Sequence, residues 1–224
     1  MEGFEYHLAA VGGDMVAGLM VTPPDAGGMP PFWMIYFAVE DADAAAAKVA
    51  ALGGKVHRAP ADIPGTGRFA VVGDPQGAGF GILQPEPMEG QEGAGGAFDQ
   101  KKAGHGNWNE LMTSDPEGGF QFYSGLLGWQ KSQAVDMGAM GTYQVFSHDG
   151  SDIGGMMGLG NSPVPAWLPY FGAHGVDAAI ARIEAAGGKL AHGPVEVPGG
   201  AFIAVAQDPQ GAWFAVVGPK EEAS

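Results

Sequence analysis

The chain has 224 residues, enough for one large or two small domains, and its 46% apolar and 16% charged residues are the balance of a folded globular protein rather than a disordered one. Acidic residues outnumber basic ones 25 to 10, and the formal charge of -15 sets the protein's own field against nucleic acid and against an anionic membrane. The absence of cysteine excludes disulfides, thiolate metal sites and a cysteine nucleophile.

Taken in chain order, Glu5 to Val11 and Met15 to Val21 read as strands. Trp33 to Val39 is a short aromatic and β-branched strand, and Ala42 to Leu52 an alanine-rich helix stopped by Gly53-Gly54. Lys55 to His57 starts another strand. Arg68 to Val72 and Gly79 to Leu83 are two more, joined through Asp74-Pro-Gln-Gly77, whose proline and glycine suit a tight turn. Gln84 to Gly104, rich in Gly, Glu, Gln and Pro, reads as an exposed linker. Beyond it, Asn107 to Thr113 is a strand, and Ser114 or Asp115 caps a helix with Pro116 at its first position. That helix runs from Glu117 to Leu127 and ends at Gly128. Apolar stretches follow around Trp129 to Val135, Tyr143 to Ser147 and Ile153 to Leu159. The expected division is a first domain over 1–86, a linker over 87–103 and a second domain over 104–224. No apolar run reaches the roughly 18 to 20 residues needed to span a bilayer, and Met1 to Tyr6 lacks the regions of a secretory signal, so the expected location is cytoplasmic.

A repeat organises the pattern. Trp33 to Pro85 matches Trp167 to Pro219 at a constant shift, with Gly53-Gly-Lys55 against Gly187-Gly-Lys189 and Asp74-Pro-Gln-Gly-Ala78 recurring unchanged as Asp208-Pro-Gln-Gly-Ala212. Upstream, Tyr6 faces Tyr143 and Val16-Ala-Gly18 faces Ile153-Gly-Gly155. The unit is β, α, β, β, β, and the chain holds three such units and the last two strands of a fourth. A natural start upstream of Met1 is the favoured account of that half unit, because an open β edge invites aggregation; completion by a neighbouring chain is the alternative.

Asn109-Glu-Leu-Met-Thr-Ser-Asp115, Phe122-Tyr123, Leu127-Gly-Trp129 and the two Asp-Pro-Gln-Gly turns resemble the vicinal oxygen chelate superfamily, which includes glyoxalases, bleomycin-resistance proteins and extradiol dioxygenases. The resemblance implies an α+β fold in which βαβββ modules pair into open, eight-stranded, barrel-like sheets around a pocket. In metal-using relatives His and Glu side chains of the strands hold a divalent ion. The glutamate stands seven residues after the Asp of the turn, where this chain has Gly81 and Ala215. The histidine falls near Met34, Trp108 and Leu168. None of these side chains suits such a cation.

The six histidines form no paired motif. His57, His105, His148 and His192 are expected at the surface, while His7 and His174, inside strand-like runs, carry more weight. In an alternating strand Trp108, Glu110 and Met112 share one face, and the resemblance turns that face into the pocket. Glu110 is therefore the candidate general base or ligand anchor, against a glutamate that simply reaches water. Tyr36 and Tyr170, with Met157 and Trp213, are the other candidate ligand contacts, against the plainer reading of core packing. The expected function is binding of a small apolar or aromatic molecule without the usual metal and with no cofactor. The alternatives are a glyoxalase-like lyase or dioxygenase-type enzyme centred on Glu110, a divalent ion at the site, or one degenerate domain that stabilises the other. Domain pairing leaves homo-oligomers open; nucleic acid and membrane are not expected partners.

Overall fold

The structure, a computed structural model, describes residues 6–22, 28–86 and 96–221. Among the described residues there are fourteen strands and three α-helices, and twelve of the strands alternate with the helices as three complete βαβββ modules. The first is β3 (Tyr36–Ala38), α1 (Ala42–Ala51), β4 (Lys55–Ile63), β5 (Gly67–Gly73) and β6 (Gly79–Pro85). The second is β7 (Gly106–Thr113), α2 (Pro116–Leu127), β8 (Gln130–Asp136), β9 (Thr142–His148) and β10 (Ser151–Gly158). The third is β11 (Ala166–Gly172), α3 (Val176–Ala185), β12 (Lys189–Glu196), β13 (Phe202–Gln207) and β14 (Trp213–Gly218). Ahead of them stands the hairpin β1 (Tyr6–Val11) and β2 (Asp14–Met20), the half unit expected from the repeat. Sheets of two, four and eight strands result, all of them open.

The helices start where the sequence places their caps. Asp41 accepts from the Ala44 N–H at 2.9 Å and Asp115 from the Gly118 N–H at 3.0 Å, each satisfying a donor that the first turn leaves unpaired. Of the two expected caps, Asp115 is the one used, and Pro116 follows it inside the helix. Gly128 closes α2 in the left-handed region, at φ 75°, where glycine carries no steric penalty. α3 begins at Gly175 without a side-chain cap, and its Val176 and Asp177 N–H groups donate instead to the Pro219 and Lys220 carbonyls.

Two strand expectations are corrected. β3 is only three residues long, and Trp33 lies outside it with its ring edge-on to Phe171 at 5.2 Å. β4 runs on to Ile63 past Pro60, because register shifts between Val56 and Arg58 and between Arg58 and Ala61 remove the demand for a regular ladder at the proline.

The chain forms two compact units that interleave along the sequence. One takes residues 1–33, 95–108 and 169–224; the other takes 34–94 and 109–168. In the first unit, strands β12, β13, β14 and β11 lie in that order, and Val176, Ala179, Ala204 and Val216 make a small core under α3. In the second, one ladder runs β3, β6, β5, β4 and another β7, β10, β9, β8. Its core is an aromatic cluster: Tyr123 stacks on Trp129 at 5.2 Å, Trp129 stacks on Phe146 at 4.4 Å, and Phe80 and Trp167 meet Tyr123 from the sides. Burying rings of this size is the largest single source of stability such a unit has.

Candidate functional site

Strand β7 carries out the expected alternation. Leu111 and Thr113 are fully buried toward α2, while Trp108, Glu110 and Met112 on the other face are half-buried. In the second unit the parallel ladder sets Glu110 opposite Gly155 and Met112 opposite Met157, so these four positions share the face turned away from α2. On the next strand Val145 lies opposite Gly155, and Tyr143, two residues away, extends its ring over that glycine. A methyl group at position 155 would overlap the Tyr143 ring. Glycine there is therefore what lets the Tyr143 ring extend over position 155, which lies opposite Glu110 in the parallel ladder. The result is one carboxylate bordered by two thioethers, a valine and a tyrosine, an arrangement suited to an apolar or aromatic ligand with one polar group.

Tyr36, 44% exposed, stands on a separate sheet of the same unit, in register with Gly81. Its ring covers that glycine so closely that a Cβ there would overlap it. Phe69 packs beside it at 6.4 Å, and the Arg58 guanidinium lies 4.8 Å over the Phe69 ring. In the first unit Tyr170, buried, is in register with Ala215, also buried, and Trp213 is half exposed two residues before it on the same face of β14. The candidate residues thus fall into three groups: Glu110 with Met112 and Met157, Tyr36 with its own neighbours, and Tyr170 near Trp213. Trp108 sits on β7 in the first unit.

Tyr143 and Val145 were not singled out from the sequence. The signal was available in the repeat: Tyr6 over Gly18 and Tyr143 over Gly155 are the same tyrosine and glycine at the same shift, and in both places the ring excludes a Cβ.

Of the histidines, His105 departs from the surface expectation. It is 1% exposed, with Nδ1 3.1 Å from the Ala103 carbonyl and Nε2 3.2 Å from the Asp14 carboxylate. Lys102 reaches the same carboxylate at 2.9 Å and holds the Asp14 carboxyl below its ordinary range, with His105 adding to the effect. Its place at the end of the expected linker suggested the surface; the carboxylate that draws the imidazole inward lies 91 residues away. His57, His148, His174 and His192 are exposed, and so is His7 on β1.

The sequence model of the Glyoxalase/Bleomycin resistance protein/Dioxygenase superfamily matches residues 1–82 and 105–216. The chain belongs to that superfamily. Among curated relatives, CFP32 of Mycobacterium tuberculosis, named as a glyoxylase, is 36% identical over 97% of this chain and 81% of its own length. The anthracycline biosynthesis protein DnrV of Streptomyces peucetius is 36% identical over 88% of this chain and 69% of its own. A solved structure of the Mn(II)-bound glyoxalase from Novosphingobium aromaticivorans aligns with a TM-score of 0.58 at 17% identity; it covers 84% of this chain, which spans 63% of that protein. At such identity the likeness is one of fold.

The Novosphingobium aromaticivorans glyoxalase holds Mn(II), and the two expected glutamate positions of this chain offer no side chain that could ligate such an ion. Gly81, at the position of the expected glutamate, has no side chain, and the Tyr36 ring fills the space a side chain would take. Ala215, its repeat, is fully buried against its ladder. Among the described residues no three His, Asp or Glu side chains come together to ligate an ion. No described helix is long and apolar enough to cross a membrane.

Proposed function

We propose that this superfamily member binds a small apolar or aromatic molecule on the β7–β10–β9 face, with Glu110 anchoring a polar group of the ligand and no metal at the glutamate positions. The observation that carries this reading is the composition of that face. Met112, Met157, Val145 and Tyr143 share a sheet face with Glu110, and the Tyr143 ring extends over Gly155. Thioethers and a phenol offer polarisable, adaptable surface to a flat ring system. Two relatives named for anthracycline biosynthesis, from Streptomyces, support an aromatic ligand class. The covering of Gly81 by Tyr36 supports recognition that does not run through a divalent ion.

The test is a thermal-shift titration with an anthracycline as probe. A ligand at a hundred times its Kd adds about 2.7 kcal/mol to the folded state, which for a chain of this size raises Tm by roughly 5 to 10 °C. Glu110→Gln keeps the shape and removes the charge, so the shift should shrink while the unliganded Tm stays close to that of the parent. A shift that is equal in the two proteins, or absent in both, contradicts the proposal.

The name of CFP32 favours a second reading, a lyase-type enzyme in which Glu110 takes a proton from the substrate. Turnover of a methylglyoxal hemithioacetal that Glu110→Gln abolishes would establish it. No turnover, with or without added divalent ion, dismisses it.

A further inference from the structure

Three ladder pairings line up across one sheet of the second unit: Tyr36 with Gly81, Gly81 with Val71, and Val71 with Arg58. The four positions make one row, about 14 Å long at the usual strand spacing. The next row, Val56, Val72 and Phe80, points the other way, into the core with Val49 of α1. A register slip between Val56 and Arg58 sets His57 and Arg58 together against Val71, and such a slip can bring two successive side chains to one face. Both reach the Tyr36 face. His57 Nε2 stands 2.8 Å from where a Cβ on Gly73 would lie, and the Arg58 guanidinium lies 4.8 Å over the Phe69 ring. Lys55, opposite Gly73, shares that face, and all three basic residues are exposed.

Asp62 is the one acidic residue of these four strands, and it pairs with Arg68, which also holds Asp43 of α1, on the opposite face. The Tyr36 face is therefore positive, in a chain whose acidic residues outnumber its basic ones 25 to 10. Gly81, at the glutamate position expected from metal-using relatives, shares its row with a guanidinium. A divalent ion over Gly81 would be repelled by that charge, whereas an anion would be drawn to it. The fold does not demand this arrangement. The third module repeats the slip, between Leu190 and His192, but Ala191 and His192 stand there for His57 and Arg58, and Ile203 for Phe69.

We infer that this row binds a planar aromatic anion, its ring seated over Val71 between Tyr36 and Phe69 and its charged group held by Arg58, with His57 and Lys55 beside it. A guanidinium offers two parallel donors to a carboxylate, and the two aromatic side chains offer a face and an edge to a ring. The site shares with the preceding proposal only the absence of an ion at position 81. It does not use Glu110, whose own test is the anthracycline titration, so either reading can fail without the other.

The probes are 2-naphthoate and 2-naphthamide, which share a ring and differ in charge, titrated into the full chain and followed by ligand-observed NMR. Naphthoate should bind saturably and about tenfold or more tighter than the amide, since its contact is a charge-assisted one. Arg58→Gln, a change at an exposed position, should weaken naphthoate by about the same factor and leave the amide unchanged. Lys189→Gln removes an equal charge at the repeat of Lys55, in the first unit, and should alter neither. Tyr36→Leu should weaken both probes. The inference is overturned by naphthoate that does not bind, that binds no tighter than the amide, or that loses as much to Lys189→Gln as to Arg58→Gln. Naphthoate binding that requires added Mn(II) overturns it as well.

Discussion

Tyr123→Phe removes a single oxygen from the centre of the second unit. That oxygen donates to Asp74 Oδ2 and accepts from the Trp167 indole N–H, both at 3.0 Å, inside a cluster where Tyr123 is fully buried. Phenylalanine leaves a buried carboxylate oxygen and a buried N–H unpaired. Each orphan costs about 1 to 3 kcal/mol, the charged one at the upper end, so the expected loss is about 3 to 4 kcal/mol. At roughly 2 to 4 °C per kcal/mol for a chain of this length, Tm falls by about 6 to 15 °C. Burial raises the Asp74 carboxyl above its ordinary range, while its backbone donors and the Tyr123 hydroxyl pull the other way. The folded state therefore binds this proton more readily than the unfolded chain, and the contribution of Asp74 to stability declines as pH rises past the ordinary carboxylate value. Losing the hydroxyl steepens that decline, so the penalty of Tyr123→Phe is greater at pH 7 than near pH 4. Urea denaturation followed by the fluorescence of the tryptophans, which include Trp129 and Trp167 in this core, measures both quantities. A change under about 0.5 kcal/mol, the scale of a surface substitution, would refute the reasoning.

Three further outcomes follow from the geometry. Gly155→Ala forces the Tyr143 ring off the sheet and should cost about 1 to 3 kcal/mol, largely recovered when Tyr143→Ala is added in a double-mutant cycle; additive losses would contradict the contact. Asp115→Ala removes the α2 cap and should cost about 1 kcal/mol in the same denaturation assay, whereas Ser114→Ala should cost almost nothing. Asp14 is held below its ordinary range by Lys102, so it favours the fold above about pH 4, and that support is lost as pH falls through the depressed value. Amide exchange of β1 and β2 should accelerate on acidification in the parent, and Asp14→Asn should flatten that dependence.

Much of this was legible in the residues. β7 showed its two faces because a strand with one side on a helix must alternate, and Leu111 and Thr113 against Glu110 and Met112 do so. α1 and α2 declared their ends through Asp41, Asp115, Pro116 and Gly128, since capping is local chemistry. What stayed hidden depended on partners far apart in sequence. His105 looked like a loop residue because Asp14 cannot be paired with it by spacing. The first Asp-Pro-Gln-Gly turn looked identical to the second, yet among the described residues only Asp74 holds a tyrosine, 49 residues away. Gly81 and Gly155 were visible as glycines, but the rings that require them became visible only in the folded sheets.

The most direct test of the account is native mass spectrometry of the protein after equilibration with Mn(II) and an anthracycline, alone and together. The account predicts a stoichiometric complex with the aromatic molecule that survives chelation and is unchanged by the ion. A tightly held Mn(II), or ligand binding that appears only when Mn(II) is present, would contradict it.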